Sequence, residues 1–455
     1  MSFVIIKSPE KIKQKGRYNY TIMRSFFKDT NFDFDKLKIR SNDKQLIIDA
    51  YYIPEDEICP VCDSNSHNKN GYKTKTVKHC VYQTKLIVVK CHIQRYKCKT
   101  CSSIFYEKDT FSYPGESISK ESIAIVMERL KYQNETFESV ARSLHISRQD
   151  VINIFDKYYE HIPGDLPEIL SFDEKHINKS LTDNAYIFVI LDFKAIKIYD
   201  IVFSRHKAKL ERYFSRIPLE QRSKVKYITM DMWETYLDVA KRYFKNAKIA
   251  IDSFHVMKLV NNAMDTIRKS VMKKYYKQTS SIEGSHPFYY VLKKYSYYFL
   301  QEFDDIRNDR FYIAKFKRSF DKHDLRKYML DIDDNLKKAY KLTSKYREFN
   351  KAANINNADE ELEELIDLFY DSGLKQFIDV ANTLSTWKPY IINSFIRIED
   401  ALTKPNKKEE KPVPRRLSNG PIEGINAILA IININGKGYT NFYRYKNRCI
   451  YVVNK

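Results

Sequence analysis

The hydrophobic rhythm of the chain changes several times along its length. Up to Pro54 apolar and polar positions are mixed, with one short amphipathic segment, Thr21–Phe27, and one extended run, Gln45–Tyr51. Between Cys59 and Cys101, the stretches Lys85–Val89 and Cys91–Tyr96 are β-rich, which predicts two strands between two cysteine turns. From Ser117 to His161 apolar residues recur at helical spacing, until Pro163-Gly164-Asp165-Leu166-Pro167 breaks the pattern and marks a linker. The next segment predicts strands at Ile169–Phe172, Tyr186–Leu191 and Ile196–Val202. Helix Lys207–Ile217, strand Val225–Met230, helix Glu234–Phe244 and strand Ala247–Ile251 follow. From Ser253 to about Arg397 the sequence is charged and helical without strand signals. Lys404–Arg416, rich in Lys and Pro, predicts an exposed linker before a last helix near Pro421.

Three hairpin-linked strands followed by alternating helix and strand is the order of a ribonuclease-H-like mixed sheet. With 455 residues and 43% hydrophobic content, the chain has material for about three domains of ~150 residues with cores of their own. Neither a basic segment with an apolar core at Met1–Lys11 nor a long apolar run occurs, so the expectation is a cytoplasmic protein with no membrane partner.

Charge narrows the partner. Lys and Arg total 79 against 58 Asp and Glu, a formal +21, and positive surface of that size attracts phosphate polyanions by releasing counterions. Abundant Lys, Asn, Ile and Tyr also follow from an AT-rich genome, which raises the charge whatever the protein does.

Four of the seven cysteines form two C-x-x-C pairs, Cys59/Cys62 and Cys98/Cys101. Two such turns complete a tetrahedral, structural Zn²⁺ site of the zinc-ribbon kind, with no open position for chemistry. Cys80 and Cys91, beside His79 and His92, read either as a second site or as ordinary strand residues, and Cys449 as core. Thr136 to Phe155 reads as a helix-turn-helix, with Ala141 at the helix crossing and Leu144, Ile146, Val151 and Ile154 as its core. Ser147 is the N-cap of the second helix, and Ser147, Arg148 and Gln149 are the candidate DNA contacts. The competing reading is a packed αα-hairpin with no DNA role.

Asp173 follows one apolar strand and Asp231 ends another; Glu423 lies just inside a helix opened by Pro421. Three converging carboxylates suit phosphodiester chemistry, because two Mg²⁺ ions ~3.5–4 Å apart take oxygen ligands and stabilise attacking and leaving oxygens. Asp252, also at a strand end, competes with Asp231 for the second metal position, and Asp192 more weakly. His255 either contacts phosphate or caps a packed helix, and Trp387 either stacks on an unpaired base or sits in the core.

At these residues the sequence resembles the transposases of the ISL-three insertion-sequence family. The shared motifs are the Cys59–Cys101 ribbon, the helix-turn-helix, Phe172-Asp173-Glu174, Asp231-Met232-Trp233, Asp252-Ser253-Phe254-His255, Leu336-Lys337-Lys338-Ala339-Tyr340, Asn419 to Asn426, and Gly438-Tyr439-Thr440-Asn441-Phe442 with Arg448. Ser253 departs from the pattern, since Arg is frequent there. The resemblance implies a DDE triad of Asp173, Asp231 and Glu423 using Mg²⁺ (or Mn²⁺). Metal-activated water hydrolyses the strand at the element's end, and the freed 3′-hydroxyl then attacks target DNA. It also implies double-stranded DNA partners, namely terminal inverted repeats and target DNA, and a homodimer or higher oligomer in a bacterial cytoplasm, nucleoid-associated when bound. The expected organisation is a multidomain α+β/α/β chain: a lead-in (1–54), a zinc ribbon (55–110), a helix-turn-helix domain (111–163), a first part of the catalytic core (168–258), a large all-helical insertion (259–410) and a C-terminal part of the core carrying the glutamate (411–455). A non-catalytic DNA-binding regulator derived from such an enzyme is the alternative. A nuclease acting on RNA–DNA hybrids would leave the ribbon and helix-turn-helix without a purpose.

Overall fold

The computed structural model describes residues 27, 30–55, 57–82, 84–177, 181–182, 185–277, 281–301, 309–403 and 411–455. Most of the amphipathic segment Thr21–Phe27 and the front of the Lys404–Arg416 linker lie outside them.

The first sheet is built from β1 (Lys38–Ser41), β2 (Gln45–Tyr51), β3 (His67–Tyr82), β4 (Lys85–Cys98) and β5 (Ile104–Tyr106), ordered β1-β2-β4-β3 with β5 beside β4. The two β-rich stretches around Val89 and Cys91 are therefore one strand, β4. Its hairpin partner β3 carries almost no apolar signal, because its first ten residues are exposed or half-exposed and consist mainly of Lys, Thr and Asn. The run Gln45–Tyr51 is a strand, as its composition predicts, and it joins this sheet by pairing in parallel with β4. Val77, Ile87, Val89, Ile48, Ala50 and Phe111 form the sheet's core.

Three helices follow: α1 (Lys120–Arg129), α2 (Phe137–Leu144) and α3 (Arg148–Tyr158). Thr136 caps α2 and Ser147 caps α3, each in a reciprocal capping box, and His145 turns the chain between them in the left-handed region at φ 54°. Val140, Ala141, Leu144, Val151, Ile154 and Phe155 fill the space between the helices.

The second sheet contains β6 (Ile169–His176), β7 (Tyr186–Asp192), β8 (Lys197–Val202), β9 (Tyr227–Met230) and β10 (Lys248–Ile251), in the order β10-β9-β6-β7-β8. The β6-β7-β8 meander is antiparallel, whereas β9 and β10 run parallel to β6. Helices α4 (Lys207–Phe214) and α5 (Leu219–Ser223) precede β9, and α6 (Glu234–Tyr243) links β9 to β10. Side chains alternate along β7: Phe188 and Ile190 enter one core with α4 and α6, while Ile187, Val189 and Leu191 enter the other.

The long stretch after β10 holds α7 (Ser253–Lys274), α8 (Pro287–Lys294), β11 (Phe311–Ile313), β12 (Arg318–Phe320), α9 (Lys322–Leu330), α10 (Asp334–Ala352), α11 (Ala358–Tyr370) and α12 (Lys375–Asn393). It is not purely helical, since β11 and β12 pair as a short hairpin. Its core is continuous with that of α4 and α6. Then β13 (Arg397–Thr403) pairs with β14 (Val413–Arg416), so the end of the expected linker is a strand. Two helices close the chain, α13 (Gly420–Asn435) and α14 (Phe442–Val453), covering the second face of the sheet.

Candidate functional site

Alternation along β6 decides which side chains meet α13. Phe172 packs on the α6 side, where Glu174 also lies, bonded to Arg205 (2.8 Å) and to the Tyr236 hydroxyl. Ser171 and Asp173 point the other way. Strand β6 continues through Asp173 to His176, so Asp173 sits inside a strand rather than after one as the sequence predicts. Thr229 of β9 lies on the same side: its Oγ1 is 2.7 Å from both Ser171 Oγ and Asn419 Oδ1. A carboxamide oxygen only accepts, so the Thr229 proton goes to Asn419 and Ser171 donates to Thr229.

The start of α13 reaches into this side of the sheet. Asn419, fully buried at the N-terminus of α13, donates from Nδ2 to Phe172 O and to Asp231 Oδ1, each at 3.0 Å. One turn on is Glu423, and one further turn Asn426, whose Nδ2 donates to Asp173 Oδ2 at 2.6 Å. Positions 419, 423 and 426 share one helix face, while Ile422, Ile425 and Leu429 anchor α13 in the core. Asparagines 419 and 426 thus hold the two strand aspartates on either side of the glutamate. The sequence reading gave them no role, although their spacing from Glu423 was available.

Asp231 and Asp252 stand side by side because Met230 and Ile251 are register partners on parallel strands. Asp252 is buried and caps α7 through Phe254 N (3.3 Å), while its Oδ2 has no protein partner. His255 donates from Nε2 to Asp231 Oδ1 at 3.0 Å. Ligand atoms of Asp252, His255 and Glu423 lie within 4.8 Å of one another. Trp387 is a core side chain of α12, 7% exposed and set edge-on to Tyr390.

Burial first, and neighbouring charge second, raise the acids of this cluster. Burial, then the neighbouring Asp231, pushes Asp173 up to about 7. Burial raises Asp252, and burial with the charge of Asp252 raises Glu423. The hydrogen bond to Asp231 raises His255. In the unfolded chain Asp173 ionises near 3.8, so the folded state holds its proton more tightly. The resulting stability is complete below about pH 4 and is lost as pH rises through about 7, a contribution of at most ~4 kcal/mol. Chelator-treated protein should therefore show a Tm that falls between about pH 4 and 7 more steeply than that of Asp173→Asn. Parallel curves would remove Asp173 from that role.

The Asp252 oxygen without a protein partner, set close to Glu423 and His255, and acids raised by burial and then by one another's charge are together a fit for a hard divalent cation. The N-terminal sheet carries a different donor set. Cys59–Cys101 and Cys62–Cys98 are each 3.6 Å apart between sulfurs, and all four sulfurs lie within 4.8 Å. A disulfide needs ~2.05 Å, whereas four sulfurs ~2.3 Å from a central ion stand about 3.8 Å apart. The two turns match: Cys59 N bonds to Ser64 O and Cys98 N to Ser103 O, both at 2.9 Å, and Asp63 and Ser102 both take left-handed φ values. The Ser103 hydroxyl holds the Cys59 thiol down at about 6. Cys80 lies near His79 and Glu121 rather than near Cys91, which is buried in the sheet core.

On the helical unit, Ser147, Arg148 and Gln149 are exposed at the start of α3. The Ser147 hydroxyl accepts from Asp150 N (3.0 Å) and Gln149 Nε2 donates to Asn153 Oδ1 (2.6 Å). Arg148 stands at the helix entrance.

A family model described as a transposase, of the ISL-three DDE type, matches residues 170–404, just over half of the chain. The chain belongs to this transposase family. Transposases cut and transfer DNA strands, so the acidic cluster of this transposase lies within a chain whose family acts on DNA. The match takes in Asp173, Asp231, Asp252 and His255 and ends before Glu423, which α13 brings back to the same place. No curated protein matches the chain significantly. No helix among the described residues is long and apolar enough to cross a membrane.

Proposed function

We propose that this transposase cleaves DNA at the ends of an insertion sequence and joins those ends to target DNA, using Asp173, Asp231 and Glu423 to hold Mg²⁺ or Mn²⁺. The observation that carries the reading is the convergence of β6, β9 and the first turn of α13 on one acidic cluster. The strand order, with antiparallel β6-β7-β8 and parallel β9 and β10, supports a ribonuclease-H-like core. Bound there, a pair of divalent ions would stabilise the attacking and leaving oxygens of an in-line displacement at phosphorus. The protein's own part is positional. Asn419 and Asn426 fix the two aspartates, and His255 helps to orient Asp231 by donating to it. Asp252 adds negative charge beside Glu423.

In this reading Cys59, Cys62, Cys98 and Cys101 bind structural Zn²⁺ in a zinc ribbon. The Arg148 end of α3 contacts the terminal repeats, and two DNA ends are held by a dimer or larger assembly. The +21 charge supports a polyanionic partner. The test is incubation of the full chain with a labelled duplex carrying its element's end, with Mg²⁺ or with EDTA. Nicking at the end that needs the metal is the expected result. Tight, end-specific binding without cleavage under Mg²⁺ or Mn²⁺ would instead make the chain a regulator.

A further inference from the structure

A cleft of about 610 Å³ opens between the three-helix unit and the loop joining α13 to α14. We propose that both walls of this cleft bind one DNA backbone, so that the recognition helices and the helix carrying Glu423 grip the same duplex; the proposal rests on the transposase reading above. One wall is the start of α2 and α3 with Arg142 and Arg148; the other is the loop with Lys437, followed by Arg444. Four basic side chains line it against one acid, Glu138, whose carboxylate is 3.8 Å from Arg142. Arg444 is committed to Asp156 by a forked contact of 2.6–3.0 Å. Arg142, Arg148 and Lys437 are exposed to solvent. Arg and Lys among neutral amides and hydroxyls (Asn134, Thr440 and Asn441 here) is the chemistry that contacts phosphate.

The second wall is a built structure. Gly436 admits no side chain, because a Cβ there would stand 2.4 Å from the Tyr439 ring and 3.1 Å from Ile432 O. Lys437 (φ 50°) and Gly438 (φ 92°) turn the chain in the left-handed region, leaving the Lys437 side chain in solvent. Tyr439 packs on Tyr445 at 5.1 Å and reaches Phe137 of α2 at 6.3 Å.

The two walls are also locked together. Arg448, 1% exposed, donates to Leu130 O, to Tyr132 O at 2.9 Å and to Glu135 O at 2.8 Å, the carbonyls of the α1–α2 connection. Tyr451 adds a bond from its hydroxyl to Met127 O at 3.0 Å. Helix α13 has Glu423 in its first turn and Asn435 at its end, about 18 Å apart along the axis, so a backbone in the cleft lies about five nucleotide steps from the acidic cluster.

The test measures anisotropy of a labelled mixed-sequence duplex of about 30 base pairs, roughly three helical turns, with full-length protein over a range of salt. Lys437→Asn suits the position because Asn tolerates the left-handed backbone. Lys437→Asn, Arg142→Gln and Arg148→Gln should each reduce the slope of log affinity against log salt by about 0.9. Lys341→Gln, exposed on α10, should leave it unchanged. Unchanged thermal unfolding of each variant checks its fold. If Lys437→Asn keeps the wild-type slope while Arg148→Gln loses it, the loop is not part of the DNA site, and the transposase reading stands. If the wild-type chain binds no duplex at any salt, that reading fails and this proposal with it.

Discussion

Glu423→Gln and Asp231→Asn should each slow metal-dependent cleavage on the order of 10³-fold or more while duplex binding persists. Glutamine keeps the size and polarity of the exposed Glu423 side chain, whose removal leaves the anchors of α13 in place, so the loss would be one of anionic ligand rather than of fold. Asp231→Asn retains an oxygen for Asn419 Nδ2 but takes from His255 the carboxylate that raises it. Asp252 is the informative comparison. It stands beside Asp231 across the β9–β10 register and near Glu423, yet one of its oxygens caps α7. A residue that supports ligands from behind costs about 10–100-fold when changed, and that is the expectation for Asp252→Asn. If Asp252→Asn proves as damaging as Glu423→Gln while Asp231→Asn is mild, the two aspartates exchange roles. Full cleavage by Glu423→Gln would take the acidic cluster out of the reaction.

That comparison is needed because the sequence left the second acid open for a physical reason. Asp231 and Asp252 both follow four-residue apolar strands, and only the parallel register makes them neighbours rather than rivals at distant edges. Strands β6 to β10 were legible because each buries one or both faces, which writes hydrophobic runs into the sequence. Strand β3 was not, since its first ten residues meet solvent and it is held by backbone pairing to β4 rather than by burial. The β13–β14 hairpin hides behind Lys and Pro for the same reason. Around α13 the sequence pointed to the glutamate, but the roles of Asn419 and Asn426 depend on strands more than 180 residues away meeting that helix. Arg448 is a further case: the resemblance marks it as a motif residue, but its role depends on the carbonyls of the α1–α2 connection that surround it.

Cys98→Ser should abolish binding of one Zn²⁺ per chain and open one end of the N-terminal sheet while the rest stays folded. A structural zinc site contributes about 10–16 kcal/mol in small zinc modules, comparable with the whole stability of a domain, so a local region that depends on it cannot stay closed without it. That region is small. Among the described residues, the apolar cluster around the four sulfurs consists of Tyr96 and Phe105 with Cys59, Cys98 and the half-buried Cys62, too little apolar surface to hold two turns and β5 together. The opposite end of the same sheet has its own core around Val77, Val89 and Phe111, which includes none of Cys59, Cys62, Cys98 and Cys101. Limited proteolysis of the Cys98→Ser chain should therefore give new cuts near Cys59–Ser64 and Cys101–Tyr106, with β2, the bulk of β3 and β4, and the second sheet protected. Zinc retained at one per chain in the variant, or wild-type protein that carries none and resists protease equally, would remove the metal from this site. Cuts spreading into Val77 and Val89 would show instead that the two ends of the sheet fold as one unit.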